Sequence, residues 1–173
     1  MTVLWKGLIV GVIHLALVCS LGGKLLYDRS TRPRVWVEAA PYDPDMPIRG
    51  RYVSLQVVVD APGIESPPVD NSWETFPVRL AVENEHLVAH RDPAPRTYNE
   101  AGHAIRFVGP VNTRQAVLST PVAFFIPEHV DDPSRRRAGE TLWVEVTLPK
   151  KGPPRPIRLG VKTGDTLTPL GLD

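Results

Sequence analysis

The sequence predicts a mainly β protein, an antiparallel sandwich or partly open barrel behind one N-terminal transmembrane helix. Three observations carry this expectation. An apolar stretch runs from Val3 to Leu26, interrupted only by Lys6, His14 and Lys24. Beyond it, apolar and polar residues alternate with a period of two in five separate segments, the pattern of half-buried strands. All 19 prolines lie at or beyond Pro33, where they break helices and separate short strands by turns.

With 173 residues, 42% hydrophobic and 23% charged, the chain has the size of one domain with an appendage. Twenty basic and 19 acidic side chains leave a net charge of +1. That lacks the basic excess with which proteins hold a phosphate backbone, so no nucleic-acid partner is expected. Cys19 is the single cysteine, which excludes an intramolecular disulfide and a multi-cysteine metal site.

The first element, residues 1–27, reads as a membrane anchor. No permanent charge occurs from Gly7 to Gly23, and the apolar stretch reaches roughly 35 Å as a helix, enough to span. Lys6 and Lys24 can snorkel to the interfaces, with Trp5 and Tyr27 at headgroup level. A cleaved signal peptide is the rival reading, since Lys6, the apolar run and the small residues Ser20, Gly22 and Gly23 imitate its three regions. Lipoprotein processing fits less well, because bulky Val18 precedes Cys19. Lys24, Arg29, Arg32 and Arg34 follow the span and only Lys6 precedes it, so charge alone favours a cytoplasmic domain. The layout, a short lead before the span and a β-rich domain after it, is that of a signal anchor with its domain exported. Gly7, Gly11, His14 and Val18 fall within about 60° on a helix. Small residues four apart permit close helix approach, and an intramembrane histidine finds a partner more readily across a helix pair than in lipid. The stripe is therefore expected to pack on another transmembrane helix, that of a second copy or of an integral membrane protein.

Residues 28–33 read as a linker and 34–173 as the β domain. Val35, Val37 and Ala39 alternate first, followed by Val53, Leu55, Val57 and Val59, then Val78, Leu80 and Val82. Leu142, Val144, Val146 and Leu148 make a fourth set and Ile157, Leu159 and Val161 a fifth. Shorter apolar runs at Ile105–Val108, Val122–Ile126 and Leu87–Ala89 bring the expected total to seven or eight strands. Asn84-Glu85 predicts a tight hairpin, and Lys150–Pro156 a looser one. Asp60–Pro77 and Arg91–Gly102 are too long for simple hairpins. Trp73 and Phe76 in the first of these either pack back on the sheet or form a partner surface.

The run Asp43-Pro44-Asp45-Met46-Pro47-Ile48-Arg49-Gly50-Arg51-Tyr52-Val53-Ser54-Leu55-Gln56-Val57 resembles the signature of the GDYXXLXY family of bacterial proteins. Gly50, Tyr52 and Leu55 match it, whereas Arg51 stands for the family's aspartate and Val57 for its closing tyrosine. Phe125-Ile126-Pro127-Glu128 and Leu142-Trp143-Val144-Glu145-Val146 are similar to a second family region. The resemblance implies a short inner-membrane protein with an N-terminal span and an extracytoplasmic domain. It implies no reaction, and it tips the orientation toward export.

Catalytic signals are sparse. His86 and His90 are four apart, which converges on one metal only in a helix; on a strand they share a face about 13 Å apart. No nucleophile elbow or Ser-x-x-Lys motif occurs, leaving Ser54 with Lys150, Lys151 or Lys162 as a remote hydrolase option. Neither a phosphate loop nor a dinucleotide fingerprint is present, so no cofactor is expected. Arg135, Arg136 and Arg137 offer a basic surface for anionic lipid or an acidic partner, partly offset by Asp131 and Asp132. The expected function is that of a non-enzymatic accessory or interaction protein serving a membrane partner or envelope assembly. The alternative is a membrane-associated hydrolase with an unassigned serine or histidine.

Overall fold

The computed structural model describes residues 3–41, 52–67, 74–92, 102–110, 113–127, 130, 132–149 and 152–171. The chain divides into two compact units, Met1–Arg32 and Pro33–Asp173.

The first unit is one helix, α1 (Val3–Thr31). Its segment Trp5–Tyr27 is long and apolar enough to cross a membrane, as either a signal anchor or a signal sequence. The helix continues through Asp28–Thr31, which the sequence assigns to a linker, because no breaker occurs before Pro33. There it ends for two reasons. The hydroxyls of Ser30 and Thr31 donate to the Tyr27 carbonyl at 2.9 and 2.8 Å, satisfying a terminal acceptor. Arg32 then precedes Pro33, whose ring disfavours helical geometry in the residue before it.

Among its described residues the second unit holds ten strands: β1 (Arg34–Pro41), β2 (Tyr52–Val57), β3 (Phe76–Glu83), β4 (His86–Arg91), β5 (His103–Val108), β6 (Gln115–Leu118), β7 (Val122–Phe125), β8 (Glu140–Thr147), β9 (Arg155–Thr163) and β10 (Thr166–Pro169). They form two antiparallel sheets, ordered β10-β9-β8-β1-β2-β7 and β4-β3-β5-β6. Sequence alternation accounts for the core. Val35, Val37, Val53, Leu55, Val57, Leu142, Val144, Val146 and Leu159 point inward from the larger sheet, and Val78, Leu87, Ala89, Ile105, Ala116 and Leu118 from the smaller.

Two hairpins show how local chemistry sets register. Asn84 and Glu85 both adopt positive φ, 48° and 65°, as a two-residue type I′ turn requires, which fixes Glu83 opposite His86. Gly164 at φ 57° opens the β9–β10 turn, matching type II′ geometry with glycine first. The looser β8–β9 connection also forms, with a register shift beside Val146. Pro156 sits at that shift, on a part of β9 that β10 does not reach. A residue without an N–H is tolerated at such a position.

The extension of β2 ties the sheets together. The Val58 amide donates to the Glu38 carbonyl, Val59 donates to Ala116, and Asp60 donates to Leu87 while accepting from Ala89. Residues 58–60 thus bond to both edge strands of the smaller sheet, β6 and β4, making that half of the sandwich resemble a small barrel. The loop that follows packs back through Ile64, which is buried. Arg114 holds it by donating to Pro67 O and Ser66 Oγ.

Candidate functional site

The β3–β4 hairpin presents His86 beside the crossing segment 58–60. His86 Nδ1 lies 3.0 Å from Asp60 Oδ2, both side chains being largely exposed. His90, also on β4, instead meets Glu83 at 2.8 Å. Exposed pairs of this kind contribute under about 1 kcal/mol each. Around His86 and Asp60 runs an open groove of about 820 Å³, floored by Val58, Val88 and Phe107 and bordered by Glu38 and Glu83. A second cavity of about 550 Å³ shares Glu38, Val58, Asp60 and His86, and adds Trp36, Trp143 and Lys162. Among the described residues, no serine, threonine or cysteine lines either space, so none of them offers the His–Asp pair a hydroxyl or thiol to activate.

The outer face of the larger sheet continues this groove. Trp36, Glu145 and Arg158 stand in one row across β1, β8 and β9. Arg158 Nε donates to Glu145 Oε2 at 2.7 Å, and its guanidinium sits 5.3 Å from the Trp36 ring centre. Glu145 is nearly buried beneath them, its side chain 7% exposed against 51% for Arg158. Gly160 makes room for this stack, since a Cβ there would lie 2.9 Å from Trp36 Cζ3. Trp143 forms a parallel arrangement, with Lys162 Nζ 4.7 Å from its ring centre and its Nε1 donating to Thr141 Oγ1 at 2.9 Å. Both indoles therefore carry a cation on one face.

The residues singled out from sequence are dispersed. Gly7, Gly11, His14 and Val18 all lie on α1, with nothing within 4 Å of a Cβ built at either glycine and Val18 69% exposed. His14 Nδ1 lies 2.9 Å from the Val10 carbonyl, so the ring spends that nitrogen on its own helix and keeps Nε2 for an outside partner. Gly50, Trp73, Asp131, Lys150, Lys151 and His129 lie outside the described residues. Tyr52 opens β2, its ring 6.0 Å from Phe125, and Leu55 is fully buried in the core. Phe76 is half-buried, edge-on to Phe107 at 5.8 Å. Arg135 and Arg137 are exposed and Arg136 is half-buried in the loop before β8.

Among the described residues the catalytic options do not assemble. Ser54 lies opposite Ala123 on β2, while Lys162 belongs to β9, three strand spacings or about 14 Å away across the sheet. His86 and His90 lie on a strand, as expected, and each has its own carboxylate. Among the described residues, no three His, Cys, Asp or Glu side chains are grouped to hold a metal.

His103 lines a separate cavity of about 130 Å³ together with Leu118, Thr120 and the Gly152–Pro154 segment, and among the described residues no charged side chain is in its wall. Desolvation lowers its pKa below the usual histidine value of 6.5. In the window between that lowered value and 6.5 the unfolded chain binds more protons than the folded one, so stability is fully present above 6.5 and falls as pH drops through the window. The unfolding midpoint of the full chain in detergent is therefore expected to fall on acidification from pH 7.5 to 5.5, and to fall less in His103→Gln. Identical pH profiles for the two proteins would remove His103 as a cause.

Sequence reasoning missed two features. Phe125 is 76% exposed on the edge strand β7; the run Val122–Phe125 has no polar residue to mark its outer face. The two tryptophan–cation pairs arise from cross-strand register, and only a correct pairing of β1, β8 and β9 brings them together. No family model, curated protein or solved structure matches this chain.

Proposed function

We propose that this chain is a single-pass membrane protein of the bacterial inner membrane, with its β domain outside the cytoplasm, acting as a non-enzymatic accessory subunit. The observation that carries the reading is α1 itself. Leu15, Leu17, Val18 and Leu26 are each at least 65% exposed, and at about 25 cal/mol per Å2 such a surface is strongly disfavoured in water and satisfied in lipid. The groove at His86 supports a binding role over a hydrolytic one, because among the described residues it offers carboxylates and aromatic rings and no neighbouring hydroxyl or thiol. Membership in the GDYXXLXY family belongs to the same proposal. In its support, Tyr52 and Leu55 take opposite faces of one strand, with Leu55 in the core and Tyr52 at the surface end.

The partner acts through the anchor: the stripe Gly7, Gly11, His14 and Val18 packs against a transmembrane helix of a second copy or of a larger membrane protein. Gly11→Ile with His14→Leu keeps the segment apolar while filling the close-approach position and removing the ring nitrogen. Membrane insertion is expected to survive and in-membrane crosslinking to drop several-fold. Undiminished crosslinking in the double variant would contradict this role of the stripe.

A further inference from the structure

We propose that the cavity beside Trp143, on the outer face of the larger sheet, binds a small zwitterion, its ammonium group held by Glu38 and its carboxylate by Lys162. The ligand class is a short peptide with both termini free. The proposal deepens the binding role of the groove and rests on it.

Cross-strand register builds the site. Glu38 on β1 lies opposite Trp143 on β8, and Lys162 on β9 lies opposite Thr141, two residues along β8 from Trp143. Residues two apart on a strand share a face, so Glu38 and Lys162 flank the indole on one surface. Two strand spacings across and two residues along put their α-carbons about 12 Å apart. All three side chains line the cavity of about 550 Å³, a size usual for small-ligand sites.

Both charges are unspent. Among the described residues, the Glu38 carboxylate has no hydrogen-bond or ion-pair partner, while its backbone carbonyl accepts from the Val58 amide. Lys162 Nζ is held 4.7 Å from the Trp143 ring centre, a contact that positions the ammonium and leaves N–H donors for an incoming oxygen. Neighbouring charges are engaged: Arg158 with Glu145 and His86 with Asp60, and Arg34 has a partner of its own. Glu85 also lines the cavity but is exposed at the hairpin turn. Glu38 and Lys162 are both half-buried and do not pair with each other. One ligand carrying both complementary charges satisfies the two at once, through charge-assisted hydrogen bonds.

Spacing selects the ligand. Three residues of extended peptide span about 10 Å, enough to reach from one charge to the other. In a single amino acid the two charged groups share one carbon and cannot. A neutral sugar would stack on an indole face, and Lys162 already covers one face of Trp143. The larger groove shares Glu38, Asp60 and His86 with this cavity, which gives peptide side chains room.

The test dialyses the full chain in mild detergent to equilibrium against isotope-labelled trialanine, with N-acetyl-trialanine and trialanine amide as competitors. Saturable binding is expected, each blocked peptide competing about tenfold less well, the usual loss for one charged hydrogen bond. This comparison uses the unaltered chain and needs no variant to fold. Glu38→Gln is expected to weaken trialanine by the same factor and to erase the penalty of acetylation alone, and Lys162→Gln to erase the penalty of amidation alone. Absence of saturable binding, or blocked peptides that compete as well as trialanine, overturns the proposal and leaves the accessory role standing. Losses in the two variants that do not follow this pairing overturn it too. Free alanine released into the dialysate, with the same dependence on both blocks, would support the site and overturn the non-enzymatic reading instead.

Discussion

Leu55→Ala is expected to lower the unfolding free energy of the β domain by about 2–5 kcal/mol, the range for removing a large aliphatic side chain from a packed core. Leu55 is fully buried in β2 and belongs to the core cluster shared by both sheets. Its strand is hydrogen-bonded on both sides, to β1 and to β7, so the surrounding backbone has little freedom to collapse into the cavity. Domains of this size are stable by about 5–15 kcal/mol in total, so the loss should be visible as a large drop in the denaturant midpoint with an unchanged slope. Tyr52→Ala serves as the contrast within the same signature. Tyr52 is half-buried, with Phe125 as its ring neighbour, and its loss should cost clearly less. Equal effects at the two positions would mean that β2 does not face the core as described.

Gly160→Val is expected to cost about 1–3 kcal/mol, the usual range for forcing extra volume into a packed site, and to disturb more than its own position. A Cβ at 160 would stand 2.9 Å from the Trp36 ring and 3.2 Å from the Thr168 carbonyl. The ring would have to leave the sheet surface, taking with it the cover over the nearly buried Glu145 and its bond to Arg158. Trp36→Leu removes the rigid ring that the valine meets, so the double variant should be more stable than the sum of the two single losses predicts. Strict additivity, measured by denaturant unfolding of all four proteins, would show that Trp36 does not lie on Gly160.

The fold was legible in the sequence wherever a strand has one wet face. Val35, Val37 and Ala39, or Leu142, Val144 and Val146, alternate in sequence and are buried as that alternation requires. Strand β6 was not legible because Ala116, Val117 and Leu118 are buried in succession; residue Val58 of the crossing segment bridges to Val117, and a strand used on both faces shows no period of two. Strand β10 is short and polar at Thr166 and Thr168, with little apolar content to mark it. The N-terminal helix was legible as an apolar segment long enough to cross a membrane, but its carboxyl end was not, since the polar residues Asp28–Thr31 look like a linker and continue the helix until Pro33 stops it. The groove at His86 was the least legible part. His86 and Asp60 are separated in sequence by β3 and meet only because the extension of β2 pairs with β4.

The central claim, a retained anchor carrying an extracytoplasmic β domain, is tested most directly by treating the outer face of intact spheroplasts with protease and weighing what stays in the membrane. Untreated membranes are predicted to yield the chain at the mass of all 173 residues, and treated ones only a fragment containing α1. A full-length chain protected from the outside protease would place the domain in the cytoplasm, and a soluble chain shortened at its amino terminus would identify α1 as a cleaved signal; either result would contradict the account.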